Sequence, residues 1–492
     1  MEWSSEQART PLDGLHPRLA EATAAPASAP PSSGLSSSGL SSTTASMSKT
    51  PGGAGIESPR IVAAHAGDHA LVYAMLRSLN QSPAYEDFTS WLDEPSYEPI
   101  DRLLMKQGAE IIAHAQLLHR NAWFHRVKIP VAGLLDFAIL PEYASAGWAK
   151  SFIESVEEAM RKSGAVVSLV RTQHPDPMLA NGWSEVRSTG CSSISVGDLL
   201  AYLTAHKRHG NASHVSRQVA TIAGTQKHGT AALEIRQWRQ IELRGVRRVY
   251  DAEAVNGWGA LDRSDSYWHW LVGRKAHSDL IVAVEEPMAG IEPNGQNDIV
   301  GYAVVHGGQV LEIGGSANGA RARLRLLVRA CQDAVECGHH TISLHAPASD
   351  PLHELIVTAG GAWLSDPGPG GKLLAKLLDP AAWIEAIYPL LRHRAKAAGL
   401  RLPLEMGVKI DSARYRLVVT RRSSRLLEDG GAPPDVRCQS ATFGQLLIGN
   451  LDAATLRSTG EVETSSDANF KRLAVLFPPA LFWQSQFDSL RF

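Results

Sequence analysis

A strand, turn, helix and strand follow one another between residues 131 and 170, and this segment constrains the fold more than any other. Residues 131–140 form an apolar run rich in Val, Ile and Phe, long enough for a buried strand. Residues 147–163 have the periodicity of a helix, and Gly164 follows where a glycine cap belongs. Residues 165–170 form a second apolar strand. The apolar residues repeated at every fourth helix position are Trp148, Phe152, Val156 and Met160. The turn before this helix therefore presents backbone N–H groups at a helix N-terminus, which is a site for an anion.

The other face of this predicted helix carries paired charges. Glu157 with Arg161, and Glu158 with Lys162, have the i,i+4 spacing of ion pairs on a helix surface. We therefore expect both glutamates to face solvent.

Composition narrows the class of protein. The 492 residues are enough for about three domains, and the 44% of hydrophobic residues are enough for a large core. A net charge of −2 gives no electrostatic argument for a nucleic acid or an anionic membrane as partner. The sequence has neither a long apolar run for a membrane span nor the pattern of a signal peptide. The 4 cysteines and 19 histidines lack metal-ligand spacing, which indicates a reduced, cytoplasmic protein without a metal site.

Shifts in composition divide the chain into five parts. Residues 1–57 are rich in Ala, Ser, Pro, Gly and Thr, and we expect them to be disordered. Residues 58–205 form a first folded domain, and the polar, basic segment 206–230 is predicted to be a linker. Residues 231–378 form a second domain and residues 379–492 a third. The predicted class is α+β, with mixed α/β domains.

An internal repeat relates the first two domains. VVSLVRTQHPDPMLANGW (166–183) and TISLHAPASDPLHELIVTAGGAW (341–363) share Ser-Leu, a Pro-containing turn, Asp-Pro, a short helix, Gly and Trp. In the second copy, the strand 310–313 is expected to stop at Gly314-Gly315 before the helix 320–336. We interpret this copy as structural.

The turn of the first copy carries a family resemblance. It reads Pro141-Glu142-Tyr143-Ala144-Ser145-Ala146-Gly147-Trp148-Ala149. This segment resembles the acyl-CoA-binding core of the GCN5-related N-acetyltransferase (GNAT) superfamily, whose signature is Arg/Gln-x-x-Gly-x-Gly/Ala. Gly147 and Ala149 match that signature. Ala144 stands at the Arg/Gln position and Ala146 at a second position that is often Arg, so two charge-assisted contacts to a pyrophosphate are missing.

The domain order extends this resemblance to residues 58–492. Two GNAT-like copies followed by a small helix-covered sheet of the sterol-carrier-protein type resemble the enhanced intracellular survival (aminoglycoside-type) acetyltransferases. The resemblance implies acetyl-CoA as co-substrate, a primary amine of a small molecule, protein or peptide as acceptor, and a homo-oligomer. Acetyl-CoA would lie against Phe137 and Ile139, with a backbone N–H near Ile139 polarising the thioester. The pyrophosphate would rest on the backbone amides of Ser145, Ala146, Gly147, Trp148 and Ala149.

The chain end supplies the predicted catalytic group. The resemblance implies that the C-terminal carboxylate of Phe492 reaches the first domain and acts as general base for the acceptor amine. Removal from water raises the pKa of an α-carboxyl above its usual ~3.3–3.7, which improves it as a base. The alternative is an apolar tail that packs on the surface and leaves its carboxylate in water.

Other predicted site positions depart from the family pattern. Met178 stands where many GNAT enzymes have a Tyr that protonates the departing thiolate, and methionine has no proton to donate. Tyr143 and His174 are the candidates to replace it. The aromatic residues of segment 85–94 belong either to an acceptor pocket or to the core; they are Tyr85, Phe88 and Trp91.

Two functions follow from these observations. The first is an acyl-CoA-dependent N-acetyltransferase in which the amine attacks the thioester directly. The second is a non-catalytic descendant that binds a ligand or serves as a scaffold, because Ala144, Ser145 and Met178 all stand where chemistry or charge is expected.

Overall fold

A computed structural model gives the fold over most of the chain beyond the N-terminal tail. The residues it describes are 58–79, 81, 83–144, 147–186, 191–208, 233–285, 299–316, 320–364, 371–429, 431 and 433–489. The predicted tail 1–57 and residues 209–230 of the predicted linker lie outside the described residues. Residues 206–208 end a helix rather than begin a linker.

The first sheet is built on the predicted strand–turn–helix–strand segment. Its strands are β1 (Arg60–Ala63), β2 (Arg102–Gln107), β3 (Glu110–Phe124), β4 (Val127–Ile139), β5 (Val167–Thr172), β6 (Ser184–Glu185), β9 (Trp258–Leu261) and β15 (Lys372–Leu377). Their order is β1-β2-β3-β4-β5-β15-β6, and β9 pairs with β3. β4 and β5 are parallel, as the intervening helix requires.

Helices cover both faces of this sheet. They are α1 (His69–Ser78), α2 (Tyr85–Ser90), α3 (Pro141–Ala144), α4 (Trp148–Lys162) and α5 (Asp176–Leu179). α4 buries Phe152, Val156 and Met160 against one face, which confirms the predicted apolar stripe. Val72 and Leu76 of α1 pack on the other face.

The prediction that Glu157 faces solvent is wrong. Its carboxylate is buried and accepts hydrogen bonds from Lys376 Nζ at 2.7 and 2.8 Å and from Trp183 Nε1 at 2.9 Å. Arg161 also contacts it at 3.3 Å, so the predicted i,i+4 pair exists. β15, more than 200 residues later in the chain, brings Lys376 against α4 and covers this face, which helix periodicity alone does not reveal.

The second sheet contains the second copy of the repeat. Its strands are β7 (Cys191–Ser195), β8 (Leu233–Gln237), β10 (Asp279–Glu285), β11 (Ile299–His306), β12 (Gln309–Gly315), β13 (Thr341–Leu344) and β14 (Ala362–Leu364), in the order β14-β7-β13-β12-β11-β10-β8. The accompanying helices are α6 (Val196–Arg208), α7 (Leu243–Ala254), α8 (Asp265–Gly273), α9 (Ala320–Glu336) and α10 (Pro351–Thr358).

The expected stop at Gly314-Gly315 is a continuation of β12. Gly314 pairs with Tyr302 and Gly315 with Gly301 on β11. A Cβ on Gly314 would lie 2.5 Å from Cε1 of Tyr302, so this position needs glycine because of a close approach rather than a turn.

The two copies exchange strands. β7, which follows the short helix of the first copy, pairs antiparallel with β13 of the second sheet. β15, which follows the short helix of the second copy, pairs antiparallel with β5 of the first sheet. The sheets therefore do not coincide with consecutive stretches of sequence.

A third sheet follows in the C-terminal part of the chain. It contains β16 (Leu404–Ile410), β17 (Ala413–Val419), β18 (Ser424–Glu428), β19 (Val436–Cys438) and β20 (Val462–Thr464), in the order β18-β17-β16-β19-β20. Its helices are α11 (Pro380–Ala386), α12 (Tyr388–Ala397), α13 (Ser440–Leu447), α14 (Ala453–Ser458) and α15 (Asp467–Leu476). The sterol-carrier-type assignment of this part stays a prediction.

Replacement of Glu157 by Gln tests the importance of the cross-chain contact. We expect the Glu157→Gln variant to unfold roughly 5–10 °C below wild type, because breaking a buried ion pair costs about 3–5 kcal/mol. Thermal unfolding followed by tryptophan fluorescence measures the shift. The control is Glu154→Gln, one turn earlier on α4, whose contact with Lys150 is 3.9 Å long and exposed. Equal shifts in the two variants would contradict a special role for Glu157.

Candidate functional site

β4 and β5 separate before either strand ends. Their parallel ladder runs from Val131–Val167 to Leu134–Val170, whereas β4 continues to Ile139 and β5 to Thr172. On its other edge, β5 stays paired with β15 along its whole length. Beyond Leu134 the backbone of β4 is therefore not hydrogen-bonded to β5, and the gap between the two strands is called the cleft below.

A bulge in β4 lies at the start of this cleft. His114 of β3 faces Ala138 and Gln116 faces Leu135, so two residues of β4, Asp136 and Phe137, oppose a single residue of β3. Asp136 has a φ of 49°, which is uncommon for a residue with a side chain. Bulges of this kind redirect a strand and are frequent beside active sites.

The N-terminus of α4 follows the same strand. Gly147 precedes the helix with a φ of 78°, a conformation that favours glycine. Gly147 has no side chain with which to cap the helix, and the first turn of α4 carries no acidic residue. The N–H groups of the first turn have no acceptor within the helix, so they suit an anion. Ser145 and Ala146, predicted to share this site, lie outside the described residues.

Lys150 adds a positive charge that the sequence analysis did not consider. It is the third residue of α4, and its side chain is 70% exposed. Its contact with Glu154 is 3.9 Å long, and such exposed pairs are weak. The ammonium group is therefore available to an anion at the helix start. The sequence feature that could have identified Lys150 is its position in the first helical turn after the predicted phosphate-binding loop.

The other predicted cofactor contacts surround the cleft. Phe137 is half-buried and stacks on Phe152 with ring centroids 5.8 Å apart. Ile139 is half-buried opposite Ala113 at the end of β4. Both pack against the apolar cluster beneath α4, which Trp148 also contacts. The structure thus brings these predicted residues to one side of the sheet.

The candidate proton donors differ in their surroundings. Met178 is buried in the core under α4. The Tyr143 hydroxyl donates a hydrogen bond to the Gln107 side chain. His174 is exposed. Met178 therefore serves packing, and the structure records no bond from Tyr143 or His174 to the β4 bulge.

The aromatic residues near α2 are split between core and surface. Phe88 and Trp91 are buried, whereas Tyr85 is 60% exposed. Trp91 packs on Trp270 of α8 with centroids 4.7 Å apart. These contacts join the first sheet's helices to those of the second.

The segment before the C-terminus is firmly anchored. Arg263 is buried and donates hydrogen bonds to Glu312 at 2.6 and 2.9 Å and to Asp488 at 2.9 Å. Phe487 is buried in the same apolar cluster as Trp91, and Leu135 of β4 packs against that cluster. Phe492 itself lies outside the described residues, so its predicted role as base stays a prediction.

A buried polar cluster lies beside the β4 bulge. His114 and Gln116 alternate with alanines in an otherwise apolar stretch of β3, and Arg102 of β2 is paired with Gln116. Arg102 Nη2 donates to Gln116 Oε1 at 2.9 Å. His114 Nδ1 lies 2.8 Å from the carbonyl oxygen of Asp136 and must donate to it, since a carbonyl only accepts. The sequence signal was two polar residues on one face of a buried strand.

Burial and the nearby Arg102 charge lower the pKa of His114 to about 4. The neutral ring therefore holds the bulge carbonyl with its Nδ1–H group. Burial also lowers the pKa of Arg102, while Tyr97 and Asp136 oppose that shift. The electrostatics of the cluster are thus set mainly by removal from water.

Among the described residues, no group of three or more His, Cys, Asp or Glu side chains has the arrangement of a metal site. Within the same residues, no helix has the length and apolarity needed to cross a membrane.

Acid should weaken the fold through His114. The unfolded chain protonates this residue near pH 6.5 and the folded protein only near pH 4. The unfolded state therefore binds more protons between these values, and stability falls as the pH decreases from about 6.5 to 4. We expect a smaller fall in Tm for His114→Asn, whose amide can still donate to Asp136. The exposed His174→Asn variant is the control and should lose as much Tm as wild type between pH 6.5 and 4. If Tm falls equally in the two variants over this range, the assignment to His114 is wrong.

Comparison with known proteins adds the fold family. No known family model matches the sequence, and no curated protein is significantly similar to it. Solved structures are similar in fold. A GCN5-related N-acetyltransferase from Kribbella flavida has 17% identity and a TM-score of 0.62 over 88% of this chain and 99% of its own. One from Anabaena variabilis has 11% identity and a TM-score of 0.62 over 87% and 99%.

Eis1 from Mycobacterium abscessus is also similar, with 14% identity and a TM-score of 0.58 over 86% of this chain and 99% of its own. The resemblance predicted from the turn and the repeat is confirmed at the level of the fold. The described chain therefore has the mixed α/β fold of the GCN5-related N-acetyltransferases.

Proposed function

We propose that this protein is an acyl-CoA-dependent N-acetyltransferase that transfers an acetyl group from acetyl-CoA to a primary amine. The observation that carries the proposal is the divergence of β4 from β5 beside the N-terminus of α4. A cleft of this shape offers strand backbone to an extended, amide-containing chain and helix N–H groups to a pyrophosphate.

The cleft residues fit the parts of acetyl-CoA. The backbone of β4 past Leu134 would bond the pantetheine amides, with Phe137 and Ile139 as its apolar wall. The amides of Ser145, Ala146, Gly147, Trp148 and Ala149 would hold the pyrophosphate. Lys150 would supply charge that Ala144 and Ala146 do not.

The reaction is a direct transfer. The amine nitrogen attacks the thioester carbonyl carbon, a C–N bond forms and the C–S bond breaks. The amine proton passes to a base, and the thiolate leaves and is protonated by water, since Met178 has no proton to give. A backbone N–H near Ile139, beyond the bulge, would stabilise the developing charge on the carbonyl oxygen.

The C-terminal carboxylate of Phe492 is the proposed base. Asp488 and Phe487 fix the preceding segment in the cluster that Leu135 contacts. Four further residues extend the chain by at most about 14 Å. This anchoring supports the proposal that the Phe492 carboxylate acts at the β4 bulge.

Two lysines on α4 test the cofactor site. We expect Lys150→Ala to bind CoA roughly three- to tenfold more weakly than wild type, with less dependence on salt, because one charge-assisted phosphate contact is lost. Lys162→Ala is a matched control, since Lys162 is 75% exposed and pairs with Glu158 at 3.6 Å at the other end of the helix. Isothermal titration calorimetry with free CoA measures both. Equal weakening would contradict a site at the N-terminus of α4.

The same titration addresses the alternative function. A wild-type protein that binds neither CoA nor acetyl-CoA at millimolar concentration would contradict the transferase. Such a result would favour the non-catalytic descendant, for which the buried Met178 at the expected acid position is the supporting observation.

Extension of the chain beyond Phe492 tests the base. Four added Gly-Ser residues should lower the acetylation rate by roughly 10²-fold or more, because general-base help is worth about 10²–10⁴-fold, while CoA affinity stays unchanged. Thiol release from acetyl-CoA with an amine acceptor gives the rate. The control carries the same four residues at the N-terminus. An undiminished rate in the C-terminal extension would rule out Phe492 as base.

A further inference from the structure

Unused hydrogen-bonding groups are concentrated beside the β4 bulge. Arg102, His114 and Gln116 are each 0% exposed. Nε and Nη1 of Arg102, Nε2 of His114 and Nε2 of Gln116 form no hydrogen bond with any part of the described chain. Buried polar groups without partners are costly and rare in folded proteins. The N–H groups of Arg102 and Gln116 point to a binding partner that accepts hydrogen bonds, whereas His114 Nε2 carries a lone pair and would need a donor.

Strand register places this cluster next to the proposed acyl site. Arg102 faces Gln116, and Gln116 faces Leu135, the residue immediately before the bulge at Asp136. These three side chains lie on one face of the sheet, in a row across β2, β3 and β4. The neighbouring Leu104 and Ala138 pack with α1 and α2 rather than with α4. The cluster is therefore on the face of the sheet opposite the helix that would hold CoA.

Comparison with Arg263 shows what Arg102 lacks. Both arginines are fully buried and both contact aromatic rings; Arg102 Cζ lies 4.4 Å from the Phe88 ring centroid and 5.5 Å from that of Tyr97. Arg263 donates hydrogen bonds to two carboxylates. Within the described residues, Arg102 donates a hydrogen bond to a neutral amide, Gln116, and is also hydrogen-bonded to the neutral side chain of Tyr97. Arg102 thus presents a preorganised guanidinium without a hydrogen-bonded counter-ion.

We propose that Arg102 and Gln116 bind a carboxylate of the acceptor, so that the substrate is an amine that also carries a carboxylate. This proposal rests on the proposed function. One N–H group of Arg102 and one of Gln116 would each donate to an oxygen of the carboxylate. The His114 ring is neutral, so its Nε2 carries a lone pair, and the Asp136 carboxylate also lies nearby. Both groups disfavour a doubly charged phosphate.

The loop between α2 and β2 provides the approach to Arg102. Tyr97, in this loop, lies over Arg102 and is half-buried, and its hydroxyl is 2.9 Å from His69 Nε2. His69 is half-buried at the start of α1. Because Arg102 is fully buried and Tyr97 lies over it, entry of the acceptor requires Tyr97 to move away from Arg102.

Matched acceptors test the proposal on the wild-type protein. The series runs from glycine to 6-aminohexanoate, each compared with its own carboxamide, with acetyl-CoA at saturation. For the best chain length, we expect kcat/KM to be roughly 10- to 100-fold higher for the carboxylate than for its carboxamide. This ratio corresponds to the free energy of charge-assisted hydrogen bonds. The N-acetylated acid should likewise raise the Tm of the protein more than the N-acetylated carboxamide does. Equal values for acid and carboxamide at every length, in both measurements, would overturn the proposal.

Two variants assign the preference to Arg102. Arg102→Met should lose the discrimination while CoA affinity stays that of wild type. Lys106→Met, on the same strand, should retain it, because Lys106 is already paired with Asp68 at 2.7 Å. Retained discrimination in a folded Arg102→Met variant would overturn the assignment. If Arg102→Met does not fold, the wild-type series alone decides.

The outcomes separate this proposal from the proposed function. Acetylation of acids and carboxamides at equal rates would leave the transferase intact and reject the carboxylate site. Absence of turnover together with a carboxylate-dependent thermal shift would reject the transferase and support the site. A preference for 2-aminoethyl phosphate over 3-aminopropanoate would overturn the choice of carboxylate over phosphate.

Discussion

Full-length pairing of β15 with β5 is the interaction on which the site depends. Six residue pairs hold one edge of β5 from Val167 to Thr172. Because that edge is complete, β5 keeps its direction after its ladder with β4 ends at Leu134–Val170. The bulge at Asp136 bends β4 away, and a cleft opens without disrupting the sheet. Lys376 of β15 also bonds Glu157, which fixes the exchanged strand to α4.

Three buried charges show how partners separate structural from ligand-binding roles. Glu157 is satisfied by Lys376 and Trp183, and Arg263 by Glu312 and Asp488. Both groups link segments that are distant in the chain, and their contacts are complete. Buried ion pairs of this kind favour a unique arrangement more than they add stability. Arg102, which has no hydrogen-bonded carboxylate in the described chain, differs in kind and is best understood through a ligand.

Much of the local structure could be predicted because short-range patterns dictate it. The apolar stripe of α4 and its start after Gly147 are local features, and the structure contains them. Predictions that needed distant partners did less well. Glu157 was expected to face solvent because the sequence of α4 alone does not reveal its contact with Lys376 of β15. Gly314 was expected to break a strand because the Tyr302 ring against it could not be foreseen.

The sequence by itself determined the elements and a turn suited to an anion, since these follow from periodicity and backbone chemistry among neighbouring residues, and the similarity of two distant segments revealed the internal repeat. Only the tertiary structure decided which strands pair. It showed that the two copies exchange β7 and β15, and it brought His114, Gln116 and Arg102 to the bulge. The physical reason is that burial and hydrogen-bond satisfaction depend on partners far along the chain. The sequence therefore indicated where a cofactor would lie, and the fold alone showed which buried groups still lack a partner.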